Sequence, residues 1–339
     1  MAGDGADARA LPHEGSPVSG PAVVTGAGGF VGRALCAHFA ATGRPHRGIV
    51  RALPHDAPHG TPLLALGDLA MAPAERLVAA LEGASAVVHL AGRAHAPGER
   101  GAEAAAAYRA ANVVATERLA AAAARAGVQR FVLASTVKVY GEATVPGHPW
   151  RADDPLSPHD PYARSKVEAE QALTAACAGG AMTPIVLRLP LVYGPGVRAN
   201  FLALLDAVAR CAPLPLASIR NRRDLCYVGN LVHAIAALLD CAEPPAGVWL
   251  VADGEPVSTP GLVRRLAAAL GVAPRLLPVP VALLALAGRL TGRSAEIARL
   301  AGSLEVDASP LLQRIGPLPY TLDQGLAATA RWWRARHAI

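Results

Sequence analysis

Apolar and polar positions along this chain follow two alternating periods. Short apolar runs are separated by Ala-rich stretches with helical spacing. The runs Pro21–Thr25, His46–Arg51, Leu63–Leu66, Ala86–Leu90, Arg130–Ser135 and Pro184–Leu189 predict strands. Between them, Val31–Thr42, Glu99–Ala126 and Tyr162–Ala178 predict helices, with Gly127 as the C-cap of the second. A loop rich in Pro and Asp, Thr144–Pro161, precedes the third. This β-α-β rhythm predicts an α/β fold, a doubly wound parallel sheet with helices on both faces. After Pro195 prolines become dense and the periods shorten. The helix Val228–Cys241 and the strand Val248–Val251 then suggest that the chain returns to the sheet.

The stretch Leu276–Leu290 is the most apolar in the chain. Pro278 and Pro280 break it near its start and Arg289 near its end, so it falls short of the ~20 residues that span a bilayer. A buried helix or a helix of the smaller domain is expected, with a helix on a membrane surface as the alternative. Residues 1–20 carry Asp4, Asp7 and Glu14 and no apolar core, and read as a tail rather than a signal peptide.

Composition changes the picture in two ways. Aromatics are only 4% of the chain, so Ala, Val and Leu must build the core. Of the 32 basic residues only Lys138 and Lys166 are lysines. The net charge of +6 raises the question of nucleic acid, but the arginines are scattered and the densest group (Arg220, Arg222, Arg223) is short, so no nucleic-acid partner is expected. The five cysteines are odd in number and lack CxxC spacing. They read as small apolar side chains in a reducing compartment, hence a cytoplasmic protein. His89, His95, His159 and His233 have no metal-ligand spacing with another His or acid and read as structural or surface residues, so no metal is expected.

Residues 25–32 read Thr-Gly-Ala-Gly-Gly-Phe-Val-Gly, with Gly26, Gly29 and Gly32 between a predicted strand and a predicted helix. Glycines there permit a tight turn and close approach of backbone to a pyrophosphate, and the helix N-terminus offers free N–H groups to it. This predicts a Rossmann-type dinucleotide site. An acid on the second strand would hold the NAD ribose, yet no Asp or Glu occurs between Gly26 and Asp56. The strand ends at Arg51, which suits the 2′-phosphate of NADP, so NADP(H) is expected over NAD(H). The expected organisation is a tail (1–20), a dinucleotide-binding domain (21–194, its sheet completed by 224–252), and a smaller C-terminal α/β substrate domain (195–223 with 253–339).

Tyr162-Ala-Arg-Ser-Lys166 places a phenol and an ammonium on one helix face at i,i+4. The ammonium is expected to favour the phenolate, so that Tyr162 exchanges a proton with a substrate oxygen while hydride moves to or from nicotinamide. Ser135 and Thr136, at the end of the preceding strand, are candidates to orient that oxygen.

These features together resemble the extended short-chain dehydrogenase/reductase family of nucleotide-sugar epimerases, dehydratases and reductases. The residues that carry the resemblance are TGAGGFVG, the pair Asp68-Leu69, His89-Leu-Ala-Gly, Asn112, the Ser-Thr strand end, YxxxK, and Arg188-Leu-Pro-Leu-Val-Tyr-Gly-Pro. It runs from about Pro21 to Trp333 and includes a late Val306-Asp-Ala-Ser. The usual "LGW-x-P" is replaced by Ile315-Gly-Pro-Leu-Pro. The resemblance implies that Phe30 and Val31 join the glycine turn, that Asp68 and Leu69 flank the adenine, and that Leu90, Ala91, Gly92 and Pro190 line the cofactor beside Tyr162 and Lys166. It implies Thr136 as hydroxyl partner of Tyr162, Asn200 and Arg223 as contacts of the UDP part of a UDP-sugar, and a homodimer built on two helices per subunit.

The 4,6-dehydratases of the family carry an acid after this threonine. Here the sequence is Thr136-Val137-Lys138, and Val137 cannot transfer a proton. Hydride transfer with one proton exchanged is left, as in a C4 epimerase or a 4-keto reductase. Ser135-Thr-Val-Lys-Val-Tyr-Gly-Glu142 is most similar to the "SSIKVNGE" segment of bacterial UDP-4-keto-6-deoxy-N-acetylhexosamine 4-reductases, which serve surface polysaccharides. Lys138 is therefore expected near the sugar. A UDP-glucose or UDP-GlcNAc 4-epimerase is the alternative, and a non-catalytic NADP-sensing regulator the second.

Overall fold

The computed structural model describes residues 20–56, 60–94, 101–243 and 245–337. The predicted tail except Gly20, together with His95 and the Glu99 start of the predicted long helix, lies outside them.

The first strand, β1 (Ala22–Thr25), is buried along its whole length and leads through the glycine turn into α1 (Phe30–Ala41). Then follow β2 (His46–Val50), β3 (Leu63–Ala65), α2 (Ala74–Leu81) and β4 (Ala86–His89). The predicted long helix is interrupted: α3 (Gly101–Tyr108) passes through a π-helical turn (Arg109–Val114) into α4 (Ala115–Arg125). Gly127, at φ +76°, takes the left-handed position just past its end. Strand β5 (Arg130–Thr136) is followed by a short 3-10 turn, Val137–Val139.

Helix α5 (Pro161–Cys177) starts one residue before expectation. Asp160 caps it, accepting the Ala163 N–H at 2.7 Å, and Pro161 supplies a helical φ in the first turn. The chain continues through β6 (Thr183–Leu189), β7 (Leu191–Tyr193), α6 (Ala199–Ala209), β8 (Leu225–Tyr227), α7 (Val228–Asp240) and β9 (Gly247–Leu250).

The main sheet is parallel with order β3-β2-β1-β4-β5-β6-β9, so the chain does return to it through β9. The order reverses between β1 and β4. A ligand crevice is expected outside the C-terminal ends of those two strands. One apolar layer packs Leu35 of α1 and Leu231 of α7 against one face of the sheet. The other layer packs Leu77 of α2, Leu119 of α4 and Leu173 of α5 against the opposite face. Strands β7 and β8 form a separate parallel pair that the sequence pattern does not predict.

Helices α8 (Thr259–Leu270), α9 (Val281–Thr291), α10 (Ser294–Ala301), α11 (Ser309–Ile315) and α12 (Leu322–His337) complete the chain. Ile315 of the substituted "LGW-x-P" segment is buried in the main core, so that departure keeps its packing. The stretch Leu276–Leu290 does hold a helix, α9, in the C-terminal part of the chain; of the two expectations only the buried one is corrected, since in α9 only Gly288 is buried. Among the described residues no helix is long and apolar enough to cross a membrane.

Candidate active site

The glycine turn closes on itself. Gly29 N–H donates to the Gly26 carbonyl at 2.8 Å, and Gly26 sits at φ +70°. A Cβ on Gly26 would come within 2.8 Å of Ala91 N, and one on Gly32 within 2.1 Å of the Gly26 carbonyl oxygen. Both positions therefore exclude any larger residue. Gly29 is the N-cap of α1 and offers no side-chain cap. The first N–H groups of α1 are thus left for an outside acceptor, and a dinucleotide pyrophosphate fits this cradle. Phe30 packs on the backbone of Gly196, where a Cβ would stand 3.2 Å from the ring. Val31 is half-buried beside it, and Pro190 is buried at the end of β6.

At the far edge of the crevice, Arg51 is exposed just past β2. Its carbonyl accepts Gly67 N–H at 3.1 Å, which sets it beside Asp68 and Leu69 at the end of β3. Asp68 is exposed, with Oδ1 accepting Ala70 N–H at 3.0 Å, while Leu69 is buried. Arg33 of α1, which sequence reasoning missed, donates through Nε to the Gly28 carbonyl at 3.0 Å and pairs with Asp56 at 2.9 Å.

Leu90, Ala91 and Gly92 leave β4 in the crevice between β1 and β4. Leu90 N–H donates to the Thr25 carbonyl and Ala91 N–H to the Thr25 hydroxyl, at 3.3 and 3.2 Å. Beneath them runs a buried polar chain. Thr25 Oγ1 lies 2.6 Å from His89 Nδ1, and His89 Nε2 lies 3.1 Å from Thr116 Oγ1. Thr116 donates its hydroxyl proton to the Asn112 carbonyl at 2.6 Å. The Thr116 oxygen must then accept from His89 Nε2–H, and His89 Nδ1 accepts from Thr25. His89 is thus neutral, and burial pushes it down to about 3.

Asn112, placed by the π-helical turn, accepts Arg93 N–H at 2.7 Å and donates to the Ser165 hydroxyl at 2.9 Å. His89 and Asn112 had a sequence signal only as members of the family's motifs. Spacing did not distinguish them.

Tyr162 and Lys166 both reach the end of β5, the phenol at Thr136 and the ammonium at Ala134. Lys166 is buried and donates to the Ala134 carbonyl at 2.8 Å. A Cβ on Gly92 would stand 3.5 Å from its ammonium, so Gly92 keeps open the space beside it. Burial pulls Lys166 down to about 8. The Tyr162 phenol shares a hydrogen bond with Thr136, and the Tyr108 ring packs at 5.8 Å.

The expected lowering of this phenol by the lysine is corrected. Burial raises Tyr162 to about 12, and the Thr136 bond offsets only part of the rise. Tyr108, an aromatic inside an Ala run, gave no sequence signal.

Ser135 faces away from Thr136, as alternation along a strand requires. Its hydroxyl bonds Glu170, which is also held by Arg188 at 2.7 Å, both side chains being buried. Arg188 further donates to the Tyr140 hydroxyl and to the Ala152 carbonyl. The Ser135 hydroxyl is therefore occupied within this network, a correction to its expected place beside Thr136.

Lys138 does stand near Thr136, whose Oγ1 accepts the Lys138 backbone N–H at 3.3 Å. Its ammonium pairs with Glu142 at 3.2 Å and Asp160 at 3.1 Å. Arg223 donates through one nitrogen to the carbonyls of Arg299 and Gly302, at 2.7 and 2.8 Å. Asn200 is exposed in the first turn of α6, next to Ala199 at φ +54°. Among the described residues no cluster of His, Cys, Asp or Glu could hold a metal ion.

Residues 22–252 match the NAD dependent epimerase/dehydratase family. The chain therefore belongs to that family, within the extended short-chain dehydrogenase/reductase fold. It is 41% identical over 253 residues to a UDP-glucose 4-epimerase of Vibrio cholerae, covering 74% of this chain and 77% of that protein. It is 33% identical over 281 residues to a dTDP-6-deoxy-L-talose 4-dehydrogenase (NAD(P)(+)) of Kitasatospora kifunensis, covering 78% and 84%. The structure of MoeE5 in complex with UDP-glucose and NAD matches with TM-score 0.74 at 29% identity, over 94% of this chain and all of that one.

Proposed function

We propose that this enzyme transfers hydride at C4 of a UDP-(N-acetyl)hexosamine, and that it reduces a UDP-4-keto-6-deoxy sugar for surface polysaccharide synthesis. The observation that carries this reading is the corner made by Tyr162 and Thr136 with Val137 next to it. Val137 is 1% exposed and sealed into an apolar cluster, so no acid follows Thr136 to assist loss of water. The chemistry left is one hydride and one proton. At neutral pH the Tyr162 phenol is protonated, the form that can give a proton to a 4-keto oxygen.

In this reading Gly26, Gly29, Phe30, Val31 and Gly32 carry the pyrophosphate turn. Asp68 and Leu69 flank the adenine, and Leu90, Ala91, Gly92 and Pro190 line the nicotinamide end. A bound NADPH supplies the hydride. Lys166 hydrogen-bonds the nicotinamide ribose beside Tyr162, Thr136 orients the C4 oxygen, and Lys138 stands toward the sugar. Asn200 and Arg223 hold the UDP part of the substrate, with Arg223 at the diphosphate and itself positioned by the carbonyls of Arg299 and Gly302 at the end of α10. Ser135 acts through Glu170 rather than by touching substrate. Arg51, with no acid on β2, supports NADP(H) over NAD(H). A homodimer through two helices per subunit, in the cytoplasm, completes the reading.

A second reading, a UDP-hexose 4-epimerase with retained NAD, is favoured by the Vibrio cholerae relative. One experiment separates them. The purified protein is incubated with UDP-4-keto-6-deoxy-GlcNAc and NADPH, and in parallel with UDP-GlcNAc or UDP-glucose alone. Loss of NADPH absorbance in the first is expected. Conversion of UDP-GlcNAc to UDP-GalNAc, or of UDP-glucose to UDP-galactose, supports the epimerase, and no change in either overturns both.

A further inference from the structure

Helix α9 is turned inside out. At 100° per residue, Leu283, Leu286 and Leu290 fall on one side of it, and they are 55%, 52% and 80% exposed. The opposite side carries buried Gly288 and half-buried Leu284, which packs on the main core. Gly288 also admits α10: a Cβ there would stand 2.7 Å from the end of Ile297. The hairpin of α9 and α10 is thus packed from within while its outward face shows leucines where a water-facing helix carries charge. Leu277, ahead of α9, and Leu300, in α10, are also at least 40% exposed.

Charge decides what such a face can meet. Between residues 275 and 300 the chain carries Arg275, Arg289, Arg293 and Arg299 against a single acid, Glu296; Arg293 pairs with Glu296 at 3.8 Å and Arg299 with Glu142 at 3.2 Å, so Arg275 and Arg289 carry the excess of positive charge. A second copy seated on the same face would bring arginine against arginine. An anionic surface would not. Helix α9 has 11 residues, about half of what a span requires, so it can only lie in an interface plane.

From these observations we infer that the α9–α10 hairpin docks on the surface of an anionic lipid bilayer, with Leu283, Leu286 and Leu290 entering the headgroup region and the arginines meeting lipid phosphates. The docked element also bears on the candidate site. The α10 backbone holds Arg223 through the carbonyls of Arg299 and Gly302, and Arg299 pairs with Glu142, the partner of Lys138. The sugar site would then work beside the bilayer surface, whichever reaction it catalyses.

The test uses the whole protein and vesicles of phosphatidylcholine with or without phosphatidylglycerol, read by co-sedimentation at low and high salt. Binding is expected only with phosphatidylglycerol and should weaken as salt rises. Leu286→Glu with Leu290→Glu should weaken partition about a hundredfold, since each change replaces an exposed leucine that would enter the headgroup region by a charge. NADPH binding and the circular dichroism spectrum should be retained in this variant, because both positions are exposed. Arg289→Glu with Arg293→Glu should weaken vesicle binding at low salt. Equal sedimentation with and without phosphatidylglycerol would overturn the inference. So would a wild-type dimer that Leu286→Glu splits into monomers, because a second copy would then own this face.

Discussion

The ammonium of Lys138 stands 3.1 Å from Oδ2 of Asp160, while Oδ1 of the same carboxylate accepts the Ala163 N–H at 2.7 Å. One carboxylate thus ties the residue two positions past Thr136 to the start of the helix that carries Tyr162. The two contacts, with other nearby cations, hold the Asp160 carboxyl below the usual range although burial opposes this. Lys138→Ala is expected to lower kcat about tenfold while costing under about 1 kcal/mol of stability, since the pair is partly exposed. Asp160→Ala should instead cost about 1 kcal/mol through loss of the cap. Steady-state kinetics and urea unfolding check both. Full turnover in Lys138→Ala would assign the lysine to its ion pairs alone.

The second lysine sets a pH dependence. Lys166 is cationic below about 8 and neutral above it, because burial lowers it from 10.5. Under the proposed role it loses the charge that faces the cofactor as pH rises. NADPH affinity should be about tenfold weaker one pH unit above that value than one unit below. Fluorescence titration at the two pH values measures this, and Lys166→Met should bind weakly and equally at both. The stability slope has its own sign: between about pH 8 and 10.5 the unfolded chain binds more protons, so stability rises with pH there.

Ser135 and Glu170 allow a sharp separation of structure from catalysis. Glu170→Ala leaves the Arg188 guanidinium buried and unpaired, and should cost about 3–5 kcal/mol by urea unfolding. Ser135→Ala leaves that pair intact and should cost about 1 kcal/mol with KM unchanged. A raised KM in Ser135→Ala would return the serine to the substrate side.

Much of this was legible in the chain, and the failures have physical causes. The strands of the main sheet are continuous apolar runs because both faces are covered, and the glycine turn is fixed by contacts that no side chain survives. Ser135 was misplaced because adjacent strand residues face opposite sides, and two hydroxyls in a row do not announce which one faces the crevice. The π-helical turn at Asn112 lies in an Ala-rich stretch whose composition suits an unbroken helix equally well. The β7–β8 pair joins segments more than thirty residues apart, beyond the reach of any local period. Helix α9 was open between a buried helix, a helix of the smaller domain and one on a membrane surface, because composition does not say which side of an apolar helix meets solvent.

His89 predicts a loss of stability in acid. It is neutral and buried in the fold, held down to about 3 against 6.5 when free. The unfolded chain therefore binds the extra proton first, and stability falls as pH drops through 6.5 toward 3. At pH 5 the contribution is about 2 kcal/mol. Comparing urea midpoints at pH 7 and pH 5 measures it. His89→Gln, which keeps a donor and an acceptor but cannot titrate, should flatten that slope. An equal slope in the variant would place the acid sensitivity elsewhere.

Arg51 decides the cofactor. It is exposed at the end of β2, and its own carbonyl holds the end of β3 through Gly67, so the backbone at this corner is fixed independently of the side chain. Arg51→Ala should therefore change cofactor choice without unfolding the crevice. If the guanidinium meets a 2′-phosphate, loss of that charged contact should weaken NADPH about tenfold or more and leave NADH within about twofold. Titration of both cofactors into wild type and variant reads the difference. An Arg51→Ala variant that loses both equally would take the 2′-phosphate role from Arg51, and wild-type protein that binds NADH more tightly than NADPH would assign NAD(H) to this chain and strengthen the epimerase reading, because an epimerase needs only a retained NAD that it restores in each cycle.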